Sequence, residues 1–587
     1  MNVLAFLAVA ICAFVVASRL YARYVARELG EDPNHPTPSQ LINDGRDYVP
    51  SKRYVVFAHH FSSIAGAGPI LGPTMAVLYG FIPAWLWIVL GGIFIGAVHD
   101  FTALFISMRE GGKSMAEIAR KTLGPAGFNL FISFTILMLV LVTSSFLSAT
   151  AISLTSLWPL EKIGAAEGKT FLKTVVQNGV VLGRIGGIAS TSVIIITFCS
   201  PLIGWLIYRR GIPNYVAHTL AVLICVLSVL VGIAYPVSLL PGTWMVILSI
   251  YVLFAAGLPV WMVLQPRDFI NAHILYFGIL LMVVSVLLTG FGGMTVSIPW
   301  FNVADGVKNL GLLWPMMFIT IACGAISGFH SLVAGGTTCK QLSNECDARR
   351  VGFTAMLLES TLAVCVLLAI GVGLSFVDYK TIVWPSIPGV KSNPILGFSL
   401  AAGHLFNQGL HIPVALGTVF GILLVEGFVI TTLDTAIRLN RYLFEELWTI
   451  VFTKTPRIMR HYWFNSGLAV LFMWSLAYSN AFSTLWPIFG AANQLLAALG
   501  LVAMSSWLLI RKRKYWFTII PAVFMIVTTL ASLVILFQNY MSKSNYILAV
   551  TDVLLFILAI GVVALAAKTF FKPSGSAGSA AAGANNR

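Results

Sequence analysis

Fifteen apolar runs divide the sequence, and each is long enough to cross a lipid bilayer as an α-helix, which takes about 20 residues. Only 10% of the residues are charged, whereas soluble globular proteins carry roughly 25%. The sequence therefore predicts an all-α polytopic membrane protein with about 15 transmembrane helices. The predicted spans lie near 2–25, 54–80, 83–108, 127–157, 187–208, 215–235, 243–263, 271–290, 314–338, 351–378, 411–437, 463–480, 486–510, 516–537 and 546–567.

The distribution of Lys and Arg over the loops predicts the orientation of the chain in the membrane. With the N-terminus outside and the C-terminus cytoplasmic, 28 of the 36 Lys and Arg residues fall in inside loops and eight in outside loops. Cytoplasmic loops of membrane proteins carry such an excess, so the net charge of +15 indicates no nucleic-acid partner. We therefore expect a multi-pass protein of the cell inner membrane, surrounded by the lipid bilayer. The sequence leaves its oligomeric state open.

The second predicted span contains residues that oppose a continuous helix. It reads HHFSSIAGAGPILGP from His59 to Pro73, with three Gly and two Pro within eight residues. These residues disfavour a regular helix by about 9 kcal/mol, at ~1 for each Gly and ~3 for each Pro. Unwound backbone in a bilayer needs protein or a water-filled cavity to satisfy its polar groups. A packed kink is one explanation, but the hydroxyls of Ser62 and Ser63 beside two His favour a broken helix that lines a site.

The ninth predicted span holds a weaker counterpart, with Gly324, Gly328 and several hydroxyl residues between Cys323 and Thr338. Seven spans separate the starts of the two segments, so the second and ninth spans run in opposite directions. Broken helices in opposite orientation are typical of inverted-repeat secondary transporters. The predicted organisation is a peripheral first span (1–25), inverted repeat one (54–235), inserted spans seven and eight (243–290), inverted repeat two (314–510), spans fourteen and fifteen (516–567) and a disordered tail (574–587).

Several motifs closely resemble those of the carbon starvation protein A (CstA) family. Beside HHFSSIAGAGPILGP they are GAVHDF at 96–101, SGFHS at 327–331, TCKQ at 338–341 and WPIFGAANQL at 486–495. The resemblance implies a LeuT-like transporter of the amino acid–polyamine–organocation superfamily, with a 5+5 inverted repeat and additional helices. It also implies peptide or pyruvate uptake during nutrient limitation.

The broken helices and the resemblance together predict a secondary active transporter, not an enzyme. We expect it to import small carboxylate-bearing nutrients by ion-coupled symport with alternating access. A substrate carboxylate suits the free N–H groups at the N-terminus of a half-helix. The predicted substrate site lies between the two breaks and comprises His59, His60, Ser62, Ser63, Gly66, Gly68, Ser327, Gly328, Phe329 and His330. The sequence does not choose between peptide and pyruvate.

Ionisable and hydroxyl side chains inside the spans are the candidates for coupling to an ion. An ionisable residue there costs at least ~2.5 kcal/mol on insertion scales, which makes it a functional candidate. A first set fits either structural ties to Arg or a proton relay: His99, Asp100 and Glu359. A second set, on the eleventh span, fits either Na⁺ binding against the first broken helix, as the resemblance implies, or an Asp434–Arg438 pair: Thr431, Thr432, Asp434 and Thr435. The expected coupling ion is H⁺ or Na⁺, with no other cofactor.

Two rival functions are a membrane-embedded metal-dependent enzyme and a nutrient sensor without transport. Adjacent His59 and His60 point about 100° apart on a helix, and no HExxH spacing completes a ligand set. No GxSxG nucleophile motif occurs in a suitable context either. We therefore predict no metal site, and exchange of a labelled solute separates transport from both rivals.

Overall fold

Long apolar helices make up almost all of the fold in the computed structural model, which describes residues 2–44, 48–165, 170–258, 262–386 and 390–571. The first half of the chain contains α1 (Val3–Leu29), α2 (Pro38–Ile42), α3 (Arg53–Ile64), α4 (Gly68–Tyr79), α5 (Phe81–Arg109), α6 (Met115–Leu123), α7 (Pro125–Ser153), α8 (Ile185–Tyr208), α9 (Asn214–Ala234), α10 (Pro241–Ala255) and α11 (Leu264–Phe291). The second half contains α12 (Val303–Asn309), α13 (Phe318–Thr320), α14 (Phe329–Gly336), α15 (Arg349–Gly373), α16 (Phe376–Val383), α17 (Pro394–Leu410), α18 (Val414–Val451), α19 (Tyr462–Ser479), α20 (Phe482–Ile510), α21 (Trp516–Ser542) and α22 (Tyr546–Phe570).

The number of membrane spans differs from the prediction of about fifteen. In the described part of the chain, 11 helices are long and apolar enough to cross a membrane, or 12 if α3 and α4 count as one bent span. The remaining three predicted spans are helical but fall short of this standard. They are the 15-residue α10, the interrupted segment with α13 and α14, and the 18-residue α19. The count of about fifteen is therefore not confirmed, although every predicted segment contains helix.

Both helices that the sequence predicts to be broken are interrupted in the structure. Helices α3 and α4 meet at an angle of 44° across Ala65–Ala67. The second interruption spans 321–328, between α13 and α14. The second break is longer than the first, and it separates a short helical piece, which begins with the turn Leu313–Met317, from the eight-residue α14.

The two broken segments lie side by side at the centre of the bundle. Helix α3 contacts α14, and α4 contacts α13. The N-terminal half of each broken segment therefore contacts the C-terminal half of the other. The two long helices α7 and α18 pack against each other beside them, and α20 packs along α7. Helix α20 is completely buried by protein along its most apolar stretch. The breaks are therefore enclosed by protein rather than by lipid, as unwound backbone in a membrane requires.

Ion pairs join loops that the charge pattern assigns to the same side of the membrane. At one end, here called the basic end, Arg109 binds Glu345 at 2.5 Å and Arg511 binds Glu110 at 2.7 Å. At the opposite end Lys380 lies 3.1 Å from Asp305. The first group contains only predicted inside loops and the second only predicted outside loops. The structure thus agrees with the alternation of loops on which the orientation rests.

A small antiparallel sheet lies at the end opposite the basic end, in the loop between α7 and α8. Its strands are β1 (Leu157–Pro159), β2 (Thr174–Gln177) and β3 (Val180–Arg184), in the order β1-β3-β2. The β2–β3 hairpin turns at Asn178 and Gly179, with φ of 51° and 76°. Positive φ at both positions matches the twist of paired strands and favours Asn-Gly. The sequence did not predict these strands, because the interpretation followed apolar helices alone.

Several helix bounds also differ from the prediction. The predicted run 411–437 continues to Val451 in α18, and the run 271–290 begins seven residues earlier, at Leu264 in α11. Helix α17 was not predicted, and it starts where the Asn393 side chain accepts a hydrogen bond from the Leu396 N–H at 3.0 Å. The predicted tail at 574–587 lies outside the described residues.

The contact between the two breaks yields a stability prediction. A Cβ on Gly68 would lie 2.4 Å from both Cβ and Sγ of Cys323. We expect Gly68→Ala to lower the free energy of unfolding by about 1–3 kcal/mol, because overpacking of a tight interior costs that much. Adding Cys323→Gly, which removes the opposing Cβ, should recover part of the loss, whereas Cys323→Ser should not.

Thermal unfolding of the purified protein in detergent measures these effects. Gly467→Ala serves as the matched control, because Gly467 in α19 has open space where its Cβ would lie. Equal stability of Gly68→Ala and the wild type would contradict the close approach of the two breaks.

Candidate functional site

The first break leaves backbone donors of α4 without partners. Its turn is closed by the Gly66 N–H, which donates to the carbonyl of Ile64 at 2.7 Å. In the described part of the chain, the N–H groups of Ala67 and Gly68 donate to no other backbone group. These groups stand at the N-terminal end of α4, where the helix dipole favours negative charge.

The second break is closed by a side chain from a distant helix. Asn493 of α20 accepts hydrogen bonds from the Gly328 N–H on its backbone carbonyl and from the Phe329 N–H on Oδ1, both at 3.2 Å. Its Nδ2 donates to the hydroxyl of Ser327 at 3.1 Å. Asn493 therefore caps the N-terminus of α14 from outside the segment. The two breaks are unequal: Asn493 accepts from the N–H groups at the second break, whereas those of Ala67 and Gly68 at the first have no hydrogen-bond partner among the described residues.

Hydroxyl groups lie on the helices beside the first break. Ser62 and Ser63 donate to the carbonyl of His59 at 3.1 Å and 2.7 Å, so their oxygen lone pairs stay free to accept. Thr432 of α18 donates to Phe428 within its own helix, and its Oγ1 would lie 3.4 Å from a Cβ on Gly66. This position agrees with the predicted approach of the eleventh span to the first broken helix.

A buried acid–histidine cluster, formed by His99, Asp100, His330 and Glu359, lies where α5, α14 and α15 meet. All four side chains are at most 1% exposed. Asp100 lies between two imidazoles, with Oδ1 2.8 Å from His99 Nδ1 and Oδ2 2.7 Å from His330 Nδ1. The other ring nitrogen of His330 is 3.3 Å from Glu359 Oε2. His330 thus lies between two carboxyl groups, hydrogen-bonded to Asp100 and within ion-pair distance of Glu359.

The cluster has no fixed cation as an ion-pair partner among the described residues. Among the residues that the structure describes, no Lys or Arg forms an ion pair with Asp100 or Glu359. The Arg residues that offered an alternative explanation bind elsewhere, since Arg109 pairs with Glu345 and Arg349 with Glu31. Because imidazole and carboxyl groups exchange protons readily, the four side chains are able to hold and pass a proton.

Asp434 is held by an arginine that the sequence interpretation placed in a loop. Arg267 of α11 lies 2.5 Å from Asp434, and the Tyr251 hydroxyl donates to the same carboxylate at 2.9 Å. Thr431 belongs to this group as well, because its hydroxyl donates to Asp268 at 2.8 Å. The alternative Asp434–Arg438 pair does not form, since Arg438 donates to the backbone carbonyls of Ala255, the last residue of α10, and of Leu258.

The predicted site residues therefore fall into four places, with His60 and Thr435 apart from them. His59, Ser62, Ser63, Gly66, Gly68 and Thr432 lie along the first break, and Ser327, Gly328 and Phe329 meet Asn493 at the second. His330 joins His99, Asp100 and Glu359, and Thr431 and Asp434 join the Arg267 pair. His60 is fully buried with Nδ1 2.9 Å from Thr338 Oγ1, and Thr435 is half-buried on α18.

Sequence reasoning missed Asn493 and Arg267 for different reasons. Asn493 lies inside the WPIFGAANQL motif, so an uncharged polar residue in an apolar span was the available signal. Arg267 was assigned to a loop because the eighth span was started too late. Within the described residues no group of three His, Cys, Asp or Glu side chains is arranged to hold a metal ion.

Comparison with known proteins finds a matching family and similar sequences. The family model described as carbon starvation protein CstA matches residues 2–386 and 375–532. The peptide transporter CstA of Bacillus subtilis (strain 168) is 31% identical, over 90% of this chain and 89% of its own length. The pyruvate/proton symporter BtsT of Escherichia coli (strain K12) is 30% identical, over 88% of this chain and 79% of its own. Among solved structures, MhsT in complex with L-phenylalanine matches 87% of this chain and 99% of its own at 13% identity, with a TM-score of 0.45.

The Arg267–Asp434 pair is expected to be essential for folding. Removing one partner of a buried ion pair leaves an uncompensated charge and costs about 3–5 kcal/mol. We therefore expect Arg267→Ala to lower the unfolding free energy by this amount, and Arg267→Met combined with Asp434→Leu to restore most of it. Thermal unfolding in detergent provides the measurement.

The matched control is Arg120→Ala at the basic end, which removes a solvent-exposed pair with Glu117. It should cost less than about 1 kcal/mol. A loss for Arg267→Ala no larger than that of the control would show that Asp434 does not depend on Arg267.

Proposed function

The chain belongs to the carbon starvation protein CstA family, and from this premise we propose that it is a secondary active transporter used in the response to carbon starvation. It imports small carboxylate-bearing nutrients, peptides or pyruvate, by ion-coupled symport with alternating access. The names of its relatives support this function, since one is a peptide transporter and another a pyruvate/proton symporter. The same names argue against an enzyme.

The proposed location is the bacterial inner membrane, with the N-terminus outside and the C-terminus cytoplasmic. The Lys and Arg excess of the loops at the basic end supports this orientation. The ion pairs that tie these loops together place the excess at one end of the bundle. The entry path for the nutrient then starts at the end that carries the β-sheet.

The proposed substrate site is the first break, and the unequal capping of the two breaks is the observation that carries it. The N–H groups of Ala67 and Gly68 face no backbone acceptor, whereas the equivalent donors of α14 bind Asn493. A carboxylate accepts such N–H groups and is stabilised by the helix dipole. Ser62, Ser63 and Phe329 stand beside the two breaks and are the groups proposed to contact the rest of the nutrient.

The packing also supports a particular version of the inverted repeat. Helix α20 packs along α7 as α11 packs along α18, and both α7 and α18 are third helices of their repeats. Helix α20 is the last helix of repeat two. Because α11, the eighth predicted span, packs in the equivalent way, it is the equivalent last helix of repeat one. We propose that repeat one consists of α3–α4, α5, α7, α10 and α11, with α8 and α9 inserted. The partition from sequence instead placed α10 and α11 as the insertion.

The proposed coupling ion is a proton carried by the buried acid–histidine cluster. Two carboxyl groups and two imidazoles without a fixed cation form a proton-binding arrangement, and α14, which bears His330, begins at the second break. A proton taken up at His330 and Glu359 therefore changes the charge of a helix next to the substrate. Sodium is the second candidate, because Thr432 offers a hydroxyl oxygen beside the first break.

Transport by the purified protein in proteoliposomes tests the function. We expect counterflow of labelled pyruvate or dipeptide, and accumulation when an inward pH gradient is imposed. For each proton carried, one pH unit supports about tenfold accumulation. Glu359→Gln should retain counterflow, which needs only binding and conformational change, and should lose pH-driven accumulation.

The control is Thr361→Val on the same helix, whose hydroxyl donates only within α15, to Leu357. It should behave as the wild type. Normal accumulation by Glu359→Gln would contradict proton carriage at this residue, and accumulation driven by Na⁺ and lost in Thr432→Val would favour sodium. Absence of counterflow for every solute would instead favour a sensor or an enzyme.

A further inference from the structure

Glu426 of α18 is a buried carboxyl group outside the substrate and coupling residues described above. Its side chain is 0% exposed, and Ser153 of α7 donates a close hydrogen bond to Oε1. The other oxygen, Oε2, has no hydrogen-bond partner in the described part of the chain. No Lys, Arg or His among these residues forms an ion pair with it. The carboxyl is thus half satisfied and carries no fixed counter-charge.

Glu426 lines a narrow cavity between α8, α11 and α18. The cavity is small, with room for about one water molecule, and its walls are mostly apolar. Its polar lining consists of Glu426, Thr197, Asn271 and Arg267. Arg267 is 1% exposed and its Nε lacks a hydrogen-bond partner, so two unpartnered polar groups line one enclosed space.

We propose that Glu426 is a second proton-binding site of the transporter, one that exchanges its proton through this cavity. An unpaired carboxylate in a low-dielectric interior is strongly disfavoured, and a proton removes its charge. The hydroxyls of Ser153 and Thr150 beside one carboxyl group fall short of the shell of oxygens that a bound metal cation requires. A proton needs no such shell, and a water molecule in the cavity is sufficient to deliver it.

The groups around Glu426 link its protonation to the contact between α11 and α18. Helix α7 presents only hydroxyls to it, from Ser153 and Thr150, and α8 presents Thr197. The only charged group on α11 that lines the cavity is Arg267, which also binds Asp434 of α18 and lies 3.6 Å from Asp268. Loss of the proton therefore adds a negative charge to the cavity that Arg267 lines, beyond the carboxylates of Asp434 and Asp268.

This charge competes with Asp434 for the same guanidinium. Asp434 and Glu426 lie eight residues apart on α18, about 12 Å along the helix axis at 1.5 Å per residue. Movement of Arg267 toward Glu426 would weaken its contact with Asp434 and with the Tyr251 hydroxyl. The proton on Glu426 thus controls the strength of the Arg267–Asp434 ion pair that joins α11 to α18.

The inference rests on the proposed proton-coupled transport, and the number of protons moved per substrate tests it. In proteoliposomes, the substrate gradient that balances a known pH gradient at zero net flux gives this ratio. Glu426→Gln should lower the ratio by one, which is a tenfold lower accumulation for each pH unit. Glu446→Gln, a charge removal on the half-buried end of the same helix, should leave the ratio unchanged. An unchanged ratio in Glu426→Gln would overturn the proposal.

A second measurement needs no transport, so it separates failure of this site from failure of the proposed function. Infrared difference spectra of the purified protein between acidic and alkaline buffer report the carbonyl stretch of protonated carboxyl groups. The wild type should show a band that Glu426→Gln lacks, and identical spectra would overturn the site even if transport is proton-driven.

If Glu426→Gln fails to fold, Ser153→Ala provides the test. It keeps the carboxyl group and removes the hydroxyl that donates to Oε1. The infrared band should then persist to a higher pH than in the wild type, because the charged form loses a hydrogen bond. A band with unchanged pH dependence would contradict the assignment.

Discussion

A lipid bilayer offers no hydrogen bonds, so every backbone polar group inside it must be satisfied by protein or by bound solute. The backbone N–H groups at the two interrupted helices therefore need hydrogen-bond acceptors from elsewhere. At the second break Asn493 supplies them, because its backbone carbonyl and its side chain accept from the start of α14. At the first break the N–H groups of Ala67 and Gly68 have no acceptor among the described residues. The proposed substrate site, with a carboxylate as their partner, rests on this difference.

Buried charge imposes the second constraint, and the structure meets it in three ways. Asp434 is neutralised by a fixed cation, Arg267, which makes that pair a structural tie between α11 and α18. Asp100 and Glu359 share His330, so their charge depends on protons. Glu426 accepts a hydrogen bond from the Ser153 hydroxyl and lines a cavity. Only the last two arrangements change charge without breaking an Arg ion pair, which is the property that coupling to a proton gradient requires.

Local chemistry explains which parts of the structure could be predicted from the sequence. Gly and Pro act on their own helix, so the breaks near Gly66 and Gly328 were predictable, as was the grouping of loops by charge. Contacts between distant segments were not, because no local signal links Asn493 to Gly328 or Arg267 to Asp434. The sequence predicts His330 as a substrate residue, and its proximity to Asp100 and Glu359 could not be predicted because they lie on other helices. Arg267 was also missed, because the predicted span began at residue 271 and α11 begins at Leu264.

The most direct test of the central claim is a structure of the protein with its nutrient bound. Cryo-electron microscopy in lipid nanodiscs, with whichever of pyruvate or a dipeptide shows counterflow, locates the carboxylate. The predicted result places its oxygens within about 2.7–3.2 Å of the backbone nitrogens of Ala67 or Gly68. A nutrient bound elsewhere, with these N–H groups still unoccupied, would contradict the claim that the first break is the substrate site.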